Sequence, residues 1–141
     1  HKIRLIAQIG NYDHMVSIMS GVDVEIHEKP AFSLEAYREN EEIFINKKKE
    51  IKYLIENMGN VTDTYSLNAF LPEDWKLINL VQNIQLAPGL SKEFDVVIKS
   101  PKEKNKLIED EIILTAISEK NQCPNKFLTR RIFVYNDLNI P

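Results

Sequence analysis

The fold is decided by Asn57-Met58-Gly59-Asn60-Val61-Thr62-Asp63-Thr64-Tyr65-Ser66-Leu67, which reads as the end of one strand, a polar turn and the start of the next strand. Gly59 and Asn60 tolerate a positive φ, so we expect the chain to reverse there. The carboxylate of Asp63 can accept hydrogen bonds from amides of the same turn. The pattern therefore predicts two neighbouring strands of a sheet.

Alternation of apolar and polar residues continues outward from this stretch, and no long window has the apolar spacing of an amphipathic helix. From residue 32 onward the alternation predicts about seven strands with turn signals between them. This pattern favours an all-β fold, an immunoglobulin-like antiparallel β-sandwich with an extra N-terminal β-hairpin. The predicted strands are 3–7, 22–26, 32–37, 50–56, 63–70, 76–80, 93–99, 110–117 and 127–135.

Size and composition indicate one domain with an appendage. The chain has 141 residues and a net charge of -3, so it has no global basic field that would attract nucleic acid. Its single cysteine, Cys123, cannot form an internal disulfide, and no apolar run is long enough to insert into a membrane. The abundance of Ile, Lys, Glu and Asn with few glycines and prolines indicates an archaeal or thermophilic source.

A gapless offset of 109 positions places the apolar residues of segment 2–26 on those of segment 111–135, Ile3 on Ile112 for example. This self-similarity predicts a tandem repeat. We therefore interpret residues 1–27 as a hairpin formed by the last strands of a preceding repeat, 28–136 as the complete sandwich, and 137–141 as the start of a connector.

Three motifs resemble one family. They are N-x-G-N-x-T-D-x-Y at 57–65, P-x-x-W at 72–75, and L-x-P-G-x-S followed by a strand at 86–97. With these motifs, residues 32–135 resemble the immunoglobulin-like NPCBM-associated domain of alpha-galactosidase and related tandem repeats of archaeal and bacterial surface proteins. Asp74 stands where these domains usually have glycine, and Leu90 where a charged residue is common. The resemblance implies an extracellular or cell-surface location.

Aromatic residues and a glycosylation sequence are the candidate binding features. Trp75 is interpreted first as a plug that closes one end of the core, and alternatively, with Tyr65 and Tyr37, as a stacking surface for carbohydrate. Asn60 begins an Asn-Val-Thr glycosylation sequence in a predicted surface turn.

No catalytic or metal site is predicted. The acidic groups Glu39, Glu41, Glu42 and Glu109, Asp110, Glu111 lack the spacing of a calcium loop, so they are interpreted as solvated strand edges, with Lys47, Lys48 and Lys49 near the first group. The histidines His1, His14 and His27 have no ligand partner at zinc spacing. The sequence has no nucleophile elbow, and Cys123 has no histidine nearby, so we expect no enzyme activity and no cofactor.

The sequence favours a non-catalytic structural or protein-interaction module of a larger exported or cell-surface protein. The alternative is a carbohydrate-binding accessory module attached to a glycosidase, and a third class is an intracellular enzyme. Expected partners are neighbouring domains of the same polypeptide, and a polysaccharide in the alternative case. Because an excised hairpin would leave open edges, we also expect a homodimer made by edge strands or strand exchange.

Overall fold

The computed structural model describes residues 2–4, 23–102 and 108–135. In these residues every regular element is a strand, and none forms a helix that could span a membrane. The strands are β1 (Lys2–Arg4), β2 (Asp23–Glu25), β3 (Phe32–Ala36), β4 (Asn40–Phe44), β5 (Lys48–Asn57), β6 (Asp63–Phe70), β7 (Lys76–Asn79), β8 (Asn83–Leu86), β9 (Ser91–Lys99), β10 (Ile108–Ser118) and β11 (Lys126–Tyr135).

Two sheets form the sandwich. One has five strands in the order β4-β11-β10-β6-β8, and the other has four in the order β3-β5-β9-β7. The strands β1 and β2 pair antiparallel in a separate two-stranded sheet. The predicted all-β sandwich fold is therefore confirmed.

The core lies between the two sheets. Along β5, Ile51, Tyr53 and Ile55 are fully buried, while the alternate residues are more exposed. The same period of two appears along β10, where Ile112, Leu114 and Ala116 face inward. Alternation in the sequence thus becomes one buried face along these strands, as a sandwich requires.

Two short edge strands, β4 and β8, were not predicted from the sequence. The strand β4 pairs parallel with β11, with Arg131 opposite Asn40, so the sandwich is not wholly antiparallel as predicted. The chain crosses from one sheet to the other between β3 and β4, which gives each sheet an edge strand on that side. At the opposite side β7 and β8 form the other two edges.

Two turns were predicted from their glycine residues, and only one of them places its glycine at a positive φ. Gly89 has a φ of 80°, and the amide of Leu90 donates to the carbonyl of Ala87 at 3.1 Å, as a type II turn at Pro88-Gly89 requires. Neither Gly59 nor Asn60 has a positive φ, so that expectation was wrong. Asp74 does, at 74°, a conformation that suits glycine, the residue common at this position in the family that the chain resembles.

The N-terminal hairpin has its own register. A constant offset of 109 from β10 and β11, where Ile112 lies opposite Arg130, would place Ile3 opposite residue 21. In the structure Ile3 lies opposite Val24. The two hairpins differ in register by about three residues, and the repeat stays a prediction.

Candidate functional site

Asn57 joins three segments at one end of the sandwich. Its side-chain amide nitrogen donates to the carbonyls of Val61 at 2.9 Å and Leu86 at 2.8 Å, and its side-chain oxygen accepts from the amide of Gly59 at 2.9 Å. The side chain is buried and all its hydrogen-bonding atoms are used. Asn57 therefore fixes the 57–63 turn against the end of β8, and this turn forms a docking platform for the chain that precedes the sandwich.

Asn60 holds that preceding chain by its side chain. Its Oδ1 accepts from the amide of Lys29 at 2.6 Å, and its Nδ2 donates to the carbonyl of His27 at 3.0 Å. The backbone adds two more bonds, from the amide of Asn60 to the carbonyl of Lys29 and from the amide of Met58 to the carbonyl of Ala31. We call residues 27–31, held in this way, the connector.

Gly59 allows the connector to approach closely. A Cβ atom at this position would lie 2.6 Å from the carbonyl oxygen of Lys29 and 2.8 Å from the amide nitrogen of Ala31. Both neighbours are backbone atoms, which cannot turn aside as a flexible side chain can. Glycine is therefore needed here for close contact, whereas from the sequence we expected it for backbone reversal.

Asn60 was also the predicted glycosylation site. The residue is exposed, but both polar atoms of its side chain take part in the connector contact. A glycan attached at Nδ2 would leave one N–H for the bond to His27, since an amide nitrogen carries two hydrogens. Glycosylation therefore stays a prediction, and it competes for space with the connector.

Trp75 lies in the core, as the plug interpretation expects. Its ring is buried, and its Nε1 donates to the Oδ2 atom of Asp110 at 2.8 Å. Buried indole N–H groups generally need such an acceptor. Because the ring is covered, Trp75 presents no free face for a sugar.

The other two predicted stacking residues, Tyr65 and Tyr37, differ in how far their side chains are exposed. Tyr65 is fully buried beside Phe32, with 4.7 Å between the ring centroids. Tyr37 is 52% exposed, and its hydroxyl donates to Glu93. The structure therefore does not bring the three rings together on one surface, and of the three only Tyr37 offers an accessible ring.

A buried ion pair lies under the crossing between β3 and β4. The guanidinium of Arg130 is covered by the core and donates from Nη2 to Oε1 of Glu41 at 3.0 Å, while Nζ of Lys49 lies 3.5 Å from Oε2 of the same carboxylate. The prediction that Glu41 belongs to a solvated edge was wrong. Glu41 occupies an inward position of β4, which places its carboxylate between the sheets.

Tyr53 adds to this cluster from the opposite sheet. The carbon at the centre of the Arg130 guanidinium lies 6.0 Å from its ring centroid, a cation–π distance. The pKa of Tyr53 is raised to about 12, chiefly by burial; the positive charge of Arg130 opposes this shift and the negative charge of Glu41 adds to it. The Tyr53 hydroxyl and two nitrogens of Arg130 have no hydrogen-bond partner among the described residues.

Glu41 and Arg130 were not predicted as a buried pair, because charged residues at inward positions look like surface residues in the sequence. The available signal was the alternation of β11, in which Arg130 continues the inward series Ile132 and Val134. The other acidic residues are closer to expectation. Glu39, Glu42, Glu109 and Glu111 are exposed, and Asp110 is half-buried at Trp75.

The described residues contain no group of three His, Cys, Asp or Glu side chains arranged to hold a metal ion. His27 is exposed in the connector, and Cys123 is half-buried beside the core. His1 and His14, in contrast, lie outside the described residues. The clearest built features are therefore the connector contact and the buried ion pair.

No protein-family model matches the chain. No curated protein matches it either. The resemblance to the NPCBM-associated domain is accordingly not confirmed at the level of that family.

Solved structures do match, at low sequence identity. A FixG-related protein from Vibrio parahaemolyticus aligns with a TM-score of 0.54 and 15% identity over 77% of this chain and 97% of that chain. A family 123 glycoside hydrolase from Clostridium perfringens aligns with a TM-score of 0.59 and 9% identity, over 74% of this chain and only 27% of the hydrolase. The periplasmic chaperone SfaE aligns with a TM-score of 0.51 and 8% identity, over 76% of this chain and 58% of the chaperone.

At such identities the similarity shows the fold alone. Together with the two sheets described above, these alignments place the chain among the immunoglobulin-like β-sandwiches.

Proposed function

We propose that the chain is a non-catalytic structural and protein-interaction module of a larger exported or cell-surface protein. Its task is to hold the segment that precedes the sandwich in a fixed direction. The observation that carries this proposal is the connector contact, in which Asn60 and Gly59 bind residues 27–31 against the 57–63 turn.

The contact has the chemistry of a rigid joint. A free linker exposes its backbone to water and samples many directions. Here the backbone groups of His27, Lys29 and Ala31 are bonded to the sandwich, and Pro30 restricts the φ angle within the same segment. An ion pair between Lys120 and Glu28, at 3.5 Å, adds a weak contact to the same segment.

Location and neighbours follow from the resemblance. The domains that this chain resembles accompany other domains in exported proteins, and a rigid joint is useful when modules are arranged in series. We therefore propose an extracellular or cell-surface location and partners within the same polypeptide. We also propose an archaeal or thermophilic source, which the amino-acid composition favours.

Residual dipolar couplings of the whole chain test the joint. We expect the backbone amides of β2 and of the sandwich to fit one common alignment tensor. The Asn60→Ala variant removes the two side-chain bonds, so the couplings of β2 should shrink while those of β5 and β9 stay unchanged. Asn68→Ala is the matched control, because the Asn68 side chain is also exposed but lies on β6, away from the connector.

Two results would contradict the proposal. One is independent tumbling of β2 in the unaltered chain, which would mean that the connector is a flexible linker. The other is an equal loss of alignment in the Asn60→Ala and Asn68→Ala variants.

Carbohydrate binding is the second candidate function. The observation that favours it is the exposed ring of Tyr37, which can stack on a sugar in a module attached to a glycosidase. A titration with neutral polysaccharides tests it directly, because quenching of tyrosine fluorescence that is lost in Tyr37→Ala would support this candidate. No change in heat or fluorescence across the series would refute it.

A further inference from the structure

Three lysines lie directly opposite one another across the four-stranded sheet. Lys99 of β9 is paired with Lys48 of β5 on one side and with Lys76 of β7 on the other. Directly opposite residues project from the same face of a sheet. Since Val96 and Ile98 of β9 occupy the inward series, this face is the outer one. We call these three residues the lysine row.

Such a row opposes stability. Like charges directly across neighbouring strands repel, and edges and faces of sheets usually mix the two signs. Within the part of the chain that the structure describes, no carboxylate lies within 4.0 Å of the three ammonium groups. Lys49, by contrast, is turned toward Glu41 and has its partner.

The surroundings of the row are basic as well. A cavity of about 520 Å³ opens beside it and is lined by Lys76, Lys99 and Lys102, and among the described residues Asp74 is the one acidic residue in its lining. Glu50 lies two residues from Lys48 on the same face. The local charge is therefore positive although the chain as a whole carries -3.

We propose that the lysine row binds an acidic polysaccharide that carries a carboxylate on successive sugar rings. The inference is independent of the connector contact, because the row lies on the outer face of the four-stranded sheet. It differs as well from the stacking alternative, because the recognition is ionic.

Spacing selects this class of ligand. Neighbouring strands lie about 4.8 Å apart, so the three lysine side chains leave the sheet at that repeat, along a line perpendicular to the strands. One pyranose ring has a similar length, so a chain with one carboxylate per ring meets each lysine in turn. Polyphosphate carries its charges much more densely, and a neutral glucan offers none.

Titration calorimetry of the whole chain with polygalacturonate, at low and at physiological salt, tests the proposal. We expect binding that weakens with salt, because the contacts are ionic and exposed. Lys99→Gln, at the centre of the row, should weaken binding about fivefold, as the loss of one surface cation does toward an anionic ligand. The triple variant Lys48→Gln, Lys76→Gln, Lys99→Gln should show no detectable heat.

Lys52→Gln is the matched control. Lys52 is exposed on the same strand and the same face as Lys48, but it lies opposite Asp95. The Lys52→Gln substitution removes one positive charge, as Lys99→Gln does, but outside the lysine row. We therefore expect polygalacturonate to bind this variant within about twofold of the unaltered chain. The row variants should also unfold at the same or a higher temperature than the unaltered chain, since they relieve repulsion, which separates lost binding from lost folding.

Three outcomes would overturn the proposal. The first is no binding of polygalacturonate by the unaltered chain at low salt. The second is equal weakening by Lys52→Gln and Lys99→Gln, which would indicate general charge attraction. The third is tighter binding of polyphosphate than of polygalacturonate, which would assign the row to a different ligand class.

Discussion

Tyr53 shows at the scale of one residue how burial sets a pH limit. Its pKa is raised to about 12 in the folded chain, from the value of 10.0 expected in the unfolded chain. The folded state therefore keeps the Tyr53 proton at pH values where the unfolded state loses it. The contribution of Tyr53 to the free energy of unfolding is fully present below pH 10 and falls as the pH rises toward 12. Tyr53→Phe removes this titration. We expect the variant to keep more of its neutral-pH stability than the unaltered chain in urea unfolding between about pH 10 and 11.5.

At neutral pH the same variant should be as stable as the unaltered chain or slightly more stable, because the hydroxyl that it removes has no partner among the described residues. Tyr135→Phe, which alters a half-buried tyrosine at the end of β11, is the control. Parallel loss of stability above pH 10 in the unaltered chain and in Tyr53→Phe would contradict the assignment.

The sequence shows which residues have a special structural role more reliably than it shows what that role is. The sequence identified Gly59 and Asn60 as special, but their role depends on a segment about thirty residues earlier, which no local pattern reveals. It identified Trp75 as a core plug, since a single large ring in a small sandwich usually is one. It could not find the acceptor Asp110, because that residue lies 35 positions further along the chain.

At the scale of elements, the strands with a regular apolar alternation were predicted well. The strand β6 was predicted at 63–70, as observed, and β7 at 76–80 against Lys76–Asn79. The strand β8 was not predicted, although its Ile84 and Leu86 alternate with polar residues. The strand β4 was not predicted because one of its two inward positions is Glu41. A buried carboxylate destroys the apolar alternation on which such predictions depend.

The ion pair between Glu41 and Arg130 should therefore decide whether β4 stays on the sheet. Glu41→Ala leaves the guanidinium buried with no carboxylate, and we expect it to lower the free energy of unfolding by about 3 kcal/mol. Replacing both residues by apolar ones, Glu41→Leu with Arg130→Met, should stay within about 1 kcal/mol of the unaltered chain, because neither charge is then buried. Urea unfolding of the three proteins, with hydrogen exchange of the β4 amides, measures both effects.

Glu42→Ala is the control on the same strand, since Glu42 faces outward and is exposed. A loss for Glu41→Ala no larger than that for Glu42→Ala would mean that water reaches the guanidinium and that the pair is not what holds β4.

At the scale of the whole molecule, the sandwich should fold without the N-terminal hairpin and the hairpin should cause association. Among residues 26–102 and 109–135, every buried apolar side chain lies between Phe32 and Val134, and these side chains form one core cluster. We therefore expect the core to form without the hairpin. The strands β1 and β2 form a sheet of two strands, which is marginal by itself and has open edges.

We expect light scattering to show a dimer for the whole chain and a monomer for a chain that starts at His27. Urea unfolding of the shorter chain should stay cooperative with a similar slope, because the slope follows the surface exposed on unfolding. A monomeric whole chain would contradict association through the hairpin. An unfolded shorter chain would instead mean that the hairpin belongs to the core of this domain, and residues 1–27 would then be no remnant of a preceding repeat.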